Sequence, residues 1–137
     1  MTASYEEKSA AGSLLIVLIT YAWYAYTAFD TVAASATDLV GLIIGVIVLT
    51  VIAEVIYESA LAIYNSDTRS DERDRLIAAL AGRAESAVLA TGVVCTIGYT
   101  LVHPDASTMT VHLLMFSLGL GEVAKRIWQL YYYRRGV

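Results

Sequence analysis

Residues Leu39–Tyr64 read LVGLIIGVIVLTVIAEVIYESALAIY, an apolar run whose only charges are Glu54 and Glu58. A helix needs about 20 predominantly apolar residues to cross the roughly 30 Å hydrocarbon core of a bilayer. This run exceeds that length and lacks period-2 alternation, so it reads as a membrane-spanning helix rather than a barrel strand. Three similar runs flank it. Ser9–Phe29 and Ser86–Pro104 carry no acidic or basic charge, and Ala106–Gly121 is likewise uncharged, with helical character continuing to Tyr133. The sequence thus predicts spans over 10–30, 39–64, 76–102 and 107–133.

The composition agrees. Of 137 residues, 58% are hydrophobic and 16% charged, with a mean hydropathy of +0.62. A soluble domain carries about 25% charged residues, so this much apolar surface calls for a lipid bilayer as its partner. A net charge of −4 argues against nucleic acid. A single cysteine excludes a disulfide framework and any CxxC motif. The leading segment MTASYEEK is acidic, and the apolar run behind it is longer than a signal-peptide core, so the first span is expected to be retained.

The basic residues are segregated. Lys8 precedes the first span. Arg69, Arg73, Arg75 and Arg83 fall between the second and third, and Lys125, Arg126, Arg134 and Arg135 at the end of the fourth. The connections Asp30–Asp38 and His103–Asp105 contain no Lys or Arg. By the positive-inside rule both termini and the middle loop are expected in the cytoplasm.

That middle segment, Asn65–Arg75, reads NSDTRSDERDR. Ser70 or Asp71 suits an N-cap, and Asp71, Glu72 and Asp74 suit the positive end of a helix dipole. Leu76, Ile77, Leu80 and Ala84 follow at helical spacing, which predicts a third helix from about Asp71 to Val102, projecting from the membrane or bending at Gly82. A weak repeat also runs through the chain. Ala53-Glu54-Val55 matches Gly121-Glu122-Val123 at an offset of 68, and Ala25-Tyr26-Thr27 matches Gly98-Tyr99-Thr100 at an offset of 73. A duplicated hairpin would place a pseudo-twofold axis along the membrane normal. The expected fold is therefore all-α: an antiparallel four-helix transmembrane bundle, with a duplicated hairpin as one origin.

Several residues together carry a family likeness: Glu7-Lys8-Ser9, Trp23-Tyr24, Asp71-Glu72-Arg73-Asp74, Arg83, Glu122, Gln129 and Tyr133-Arg134-Arg135-Gly136. With them the chain resembles a domain-of-unknown-function family of small bacterial four-helix inner-membrane proteins. The resemblance implies a bacterial inner membrane and a four-span layout. It implies no activity, substrate or functional residue.

The candidate site is charged. Glu54 and Glu122 lie at similar depth in spans two and four, and Glu58 lies one turn from Glu54 on the same face. Carboxylates in hydrocarbon must be paired, protonated or hydrated. One reading is a structural acid–base cluster in which Glu54, Glu58 and Glu122 are held by Arg83 as hub, with Lys125 or Arg126 assisting. Arginine suits the hub because its planar fork can hold two carboxylates. The other reading is a cation or proton site, since carboxylates bind hard cations and relay protons. His103 and His112 differ in depth by about two turns, which disfavours bis-histidine haem, and no cofactor is expected. Trp128, Tyr131, Tyr132 and Tyr133 form an interfacial aromatic belt. Thr20, Tyr24 and Thr27 share a face expected to point into the bundle. Gly41/Gly45 and Ser117/Gly121 are small-xxx-small pairs, suited to packing within one chain or to a homo-oligomer seam.

No Ser/His/Asp set, HExxH or phosphate-binding glycine loop occurs, so no enzyme is expected. Two functions follow: a scaffold or regulatory subunit presenting its charged middle loop, or a small oligomeric transporter or channel for protons or cations. They differ in whether Glu54 and Glu122 face a cavity or are dry and paired.

Overall fold

A computed structural model describes residues 4–30, 39–65 and 71–135; for residues 29 and 30 only the backbone is described. Four helices account for nearly all of it: α1 (Tyr5–Asp30), α2 (Leu39–Tyr64), α3 (Glu72–Val102) and α4 (Ser107–Arg135). The fold is an all-α four-helix bundle. Cross-helix bonds give its sense. Tyr5 and Ser13 of α1 meet Glu58 and Glu54 of α2, and Asp74 and Thr100 of α3 meet Tyr133 and Thr110 of α4. Both hairpins are therefore antiparallel. The main helix contacts run in the order α2–α1–α4–α3.

Three helices, within Tyr5–Ala28, Leu39–Tyr64 and Glu72–Val102, are long and apolar enough to cross a membrane. The fourth expected span, α4, is long enough at 29 residues but falls short on apolarity. Ser107, Thr108, Thr110, His112 and Glu122 dilute its run. It nevertheless packs closely along α3. Gly92 lies against the Ser117 side chain, and Gly121 approaches the Glu85 backbone, where an added Cβ would sit 3.5 Å from the carbonyl oxygen. The Ser117/Gly121 pair is thus used within the chain. Among the described residues, Gly41 and Gly45 have open space beside them and join no seam.

The start of α3 is built by its sequence. Asp71 accepts a hydrogen bond from the Asp74 backbone N–H at 2.8 Å, and the Asp74 side chain accepts from the Asp71 N–H at 3.0 Å. This capping box satisfies two donors that a bare helix start leaves open. The helix continues unbroken past Gly82 to Val102, and Pro104 stops it. The expected cap and the expected length are both present.

A small core lies towards the far end, where Tyr24, Ala28, Val46 and Met115 bury together beside Leu42, Ile43 and Phe116. Tyr24 is fully buried, and its hydroxyl shares a 2.7 Å hydrogen bond with Nδ1 of His112. Thr20, one turn earlier, is buried and donates to carbonyls of its own helix. Thr20 and Tyr24 point inward, as their spacing suggests, whereas Thr27 on the same face is only half-buried. At the other end the start of α1, the ends of α2 and α4 and the start of α3 gather. Lys8 donates to Asn65, Tyr133 to Asp74, and Arg73 to the Tyr133 carbonyl.

The repeat has a structural counterpart at the level of the hairpin. Tyr57 of α2 lies against Gly12 of α1, and Lys125 of α4 pairs with Glu85 of α3. These two contacts coincide under the same offsets of 68 and 73. The bundle as a whole is less symmetric, because α1 packs on α4 extensively and the equivalent α2–α3 pair is not a main contact.

Candidate functional site: a carboxylate cleft

The first carboxylate contacts arise from two matched ladders. Tyr5, Ser9 and Ser13 recur every four residues on α1, so their hydroxyls stack on one face. Glu58 and Glu54 recur at the same spacing, running the opposite way, on α2. Tyr5 donates to Glu58 at 3.1 Å, Ser9 donates to the other Glu58 oxygen, and Ser13 donates to Glu54 at 2.6 Å. Ser13 is fully buried and Ser9 nearly so. Hydroxyls thus take the role that the sequence reading gave to basic side chains. Tyr57 closes the same seam. Its ring fills the space over Gly12 and its hydroxyl donates to the Lys8 carbonyl at 2.7 Å.

The second arises between α3 and α4. Lys125 Nζ lies 3.0 Å from a Glu85 oxygen, and the Glu122 carboxyl is within hydrogen-bonding reach of Glu85. Glu85 was not singled out from the sequence. A signal for it existed: stepping by four from Ile77 and Ala81, both fully buried, lands on Glu85. Arg83 draws attention instead, yet it points elsewhere.

Arg83 is exposed, and among the described residues the ion pairs are Lys125–Glu85 and a longer Arg134–Glu7 contact of 4.0 Å. The expected hub is therefore absent. Two residues from Ala81 is about 200° around a helix, which turns Arg83 away from α4. Arg126 does not clamp a glutamate either. It donates from one terminal nitrogen to Gln129 at 3.3 Å, and its Nε is buried without a hydrogen bond.

Glu54 and Glu122 nonetheless converge. A cleft of about 390 Å³ between α1, α2 and α4 has both on its wall, together with Arg126, Thr50 and Tyr21. Val17, Val46, Ile47, Val51, Val55 and Leu118 form the rest; the first two are buried, and the last four are half-exposed at its rim. The cleft opens between α2 and α4. Glu58 stays outside it, at the Tyr5–Ser9 end, and Lys125 stays behind Glu122 with Glu85. Among the described residues no group of three His, Cys, Asp or Glu side chains is arranged to hold a metal ion.

The histidines are apart. His112 is taken by Tyr24, whereas His103 stacks on Tyr99 at 4.6 Å between ring centroids. Trp128, Tyr131 and Tyr132 pack on one another along α4, with the Arg135 guanidinium 5.3 Å from the Tyr131 ring centroid.

No family model, curated protein or solved structure matches the chain.

Proposed function

We propose that this is a small four-span protein of a bacterial inner membrane, with both termini cytoplasmic, that binds and moves protons or other cations through the cleft between α1, α2 and α4. The observation that carries the reading is the convergence of Glu54 and Glu122, from different helices, on one cavity. A purely structural charge cluster would consume both carboxylates. Here Glu54 receives one hydroxyl bond, from Ser13, although a carboxylate offers about four acceptor sites. Carboxylates lining a cavity among apolar helices are the usual equipment of proton and cation pathways.

The four-span layout rests on α4 running antiparallel along α3, which itself is long and apolar enough to cross. The orientation rests on the segregation of Lys and Arg at one end. The cavity favours transport over the scaffold reading.

The test is flux into liposomes containing the purified protein, driven by a pH gradient with inorganic cations in one series and organic cations in another. Wild type is expected to conduct, and Glu54→Gln and Glu122→Gln to lose most of the flux. Arg83→Gln is expected to keep it. Flux equal in all four proteins, or in none, would remove the reading.

A further inference from the structure

We propose that the cleft's ligand is an amphipathic organic monocation, an ammonium group on an aryl or alkyl body, taken up in exchange for one proton. This inference rests on the cation-handling reading above and names its substrate class.

The walls exclude a bare inorganic ion as the best occupant. Six of the eleven lining residues are Val, Ile or Leu, and the volume of about 390 Å³ lies in the range typical of small-molecule sites. An inorganic cation needs a compact shell of oxygens, and the described residues contain no such cluster. An organic cation uses both parts of the cleft. Its apolar body lies against Ile47, Val51, Val55 and Leu118, and its charged head reaches towards Glu54 and Glu122. Tyr21 adds an aromatic side chain to the same wall, a surface that attracts alkylated ammonium groups.

Charge arithmetic sets the valence. The cleft itself presents Glu54 and Glu122 against Arg126. Behind it, Glu85 and Lys125 form a neutral pair. Counted over the cleft's own wall, the surplus is one negative charge; Glu58 and Glu6 lie outside that wall, Glu58 held by the hydroxyls of Tyr5 and Ser9. In apolar surroundings that charge requires a proton or a bound cation. When a monocation enters, the proton leaves, and the site's net charge is conserved. Ser13 on α1 donates to Glu54, and Tyr57 and Glu58 lie beside it on its own helix. Across the cleft, Tyr21, Glu85, Lys125 and Arg126 surround Glu122, and Arg126 also lies near Glu6 of α1, which in turn lies near Glu58.

The rim gives the route. Ile47, Val51, Val55 and Leu118 are exposed, so the cleft is reached from the side, between α2 and α4. A ligand that partitions into a membrane can enter there.

The experiment is calorimetric titration of the full chain in lipid nanodiscs with benzyltrimethylammonium, its neutral isostere neopentylbenzene, and Na⁺. Saturable binding of benzyltrimethylammonium alone is expected. Its enthalpy should vary with the buffer's ionisation enthalpy as release of about one proton requires. Glu54→Gln should weaken it about tenfold or more. Val51→Trp, which fills the cleft from an exposed position without touching a charge, should abolish it while leaving the fold intact. Equal binding of the neutral isostere would make the cleft a groove for lipid tails and overturn the proposal. So would binding unaffected by Val51→Trp, or no binding. If benzyltrimethylammonium fails to bind but liposome flux still depends on Glu54, the substrate class is wrong and the transport reading stands. If both fail, both fall.

Discussion

The ring of Tyr57 occupies the space that a side chain on Gly12 would need, and its hydroxyl donates to the carbonyl of Lys8 at 2.7 Å. Helices α1 and α2 are locked there by shape and by a hydrogen bond at once. Gly12→Ala should push the ring away and cost about 1–3 kcal/mol, the usual range for overpacking a close contact. Tyr57→Ala should cost a similar amount. The double variant should cost clearly less than the sum, because the two changes remove one shared contact. Thermal unfolding of the four proteins in one detergent measures this.

Lys125 holds Glu85 beside Glu122. Lys125→Met leaves two neighbouring carboxylates without their nearest cation, which should destabilise the protein by about 1–3 kcal/mol, below the full cost of orphaning a deeply buried charge because the pair is partly exposed. Arg83→Ala should change stability by no more than about 0.5 kcal/mol, as an exposed residue outside any network does. Equal melting temperatures for Lys125→Met and Arg83→Ala would refute this ordering.

Asp71→Ala removes the cap and its reciprocal bond with Asp74. The expected cost is about 0.5–2 kcal/mol. The effect should be local: amide hydrogen exchange should quicken over the first turn of α3, from Glu72, and stay unchanged around Thr96.

Tyr24→Phe keeps the packing against Phe116 but deletes the bond to His112. A net loss of about 1–2 kcal/mol is expected, since a partly buried imidazole nitrogen is left unpaired. The His112 ring resonances in a selectively labelled sample should shift, and those of His103 should not.

In a Cys95→Ser background, a cysteine at Ala34 should react with a membrane-impermeant maleimide added to intact cells, and one at Ser66 should not. Both positions lie outside the described residues. The reverse pattern would invert the orientation.

The helices were legible in the sequence because each signal is local. Long apolar runs mark the helices, and Asp71 with Asp74 marks a start. The partners of the charges were not legible, because helix rotation decides them. Glu85 and Arg83 are two residues apart and face different ways, so a count of basic residues near the right depth chose the wrong one. Ser9 and Ser13 look like small packing residues until Glu58 and Glu54 are seen opposite them at the same spacing. Gly41/Gly45 and Ser117/Gly121 share one pattern, yet only the second pair is occupied within the chain. That difference depends on which helices become neighbours.

The contact order α2–α1–α4–α3 has a consequence for assembly. Each hairpin carries its own seam, Gly12–Tyr57 in the first and Glu85–Lys125 in the second, so each has contacts of its own before the two meet. The cleft cannot form within either module, because its walls come from α1 and α2 on one side and α4 on the other. It comes into being when the modules dock, and α4 brings Glu122 opposite Glu54. On the transport reading proposed above, a half-inserted or truncated chain is mute rather than leaky, because neither hairpin alone holds the whole cleft.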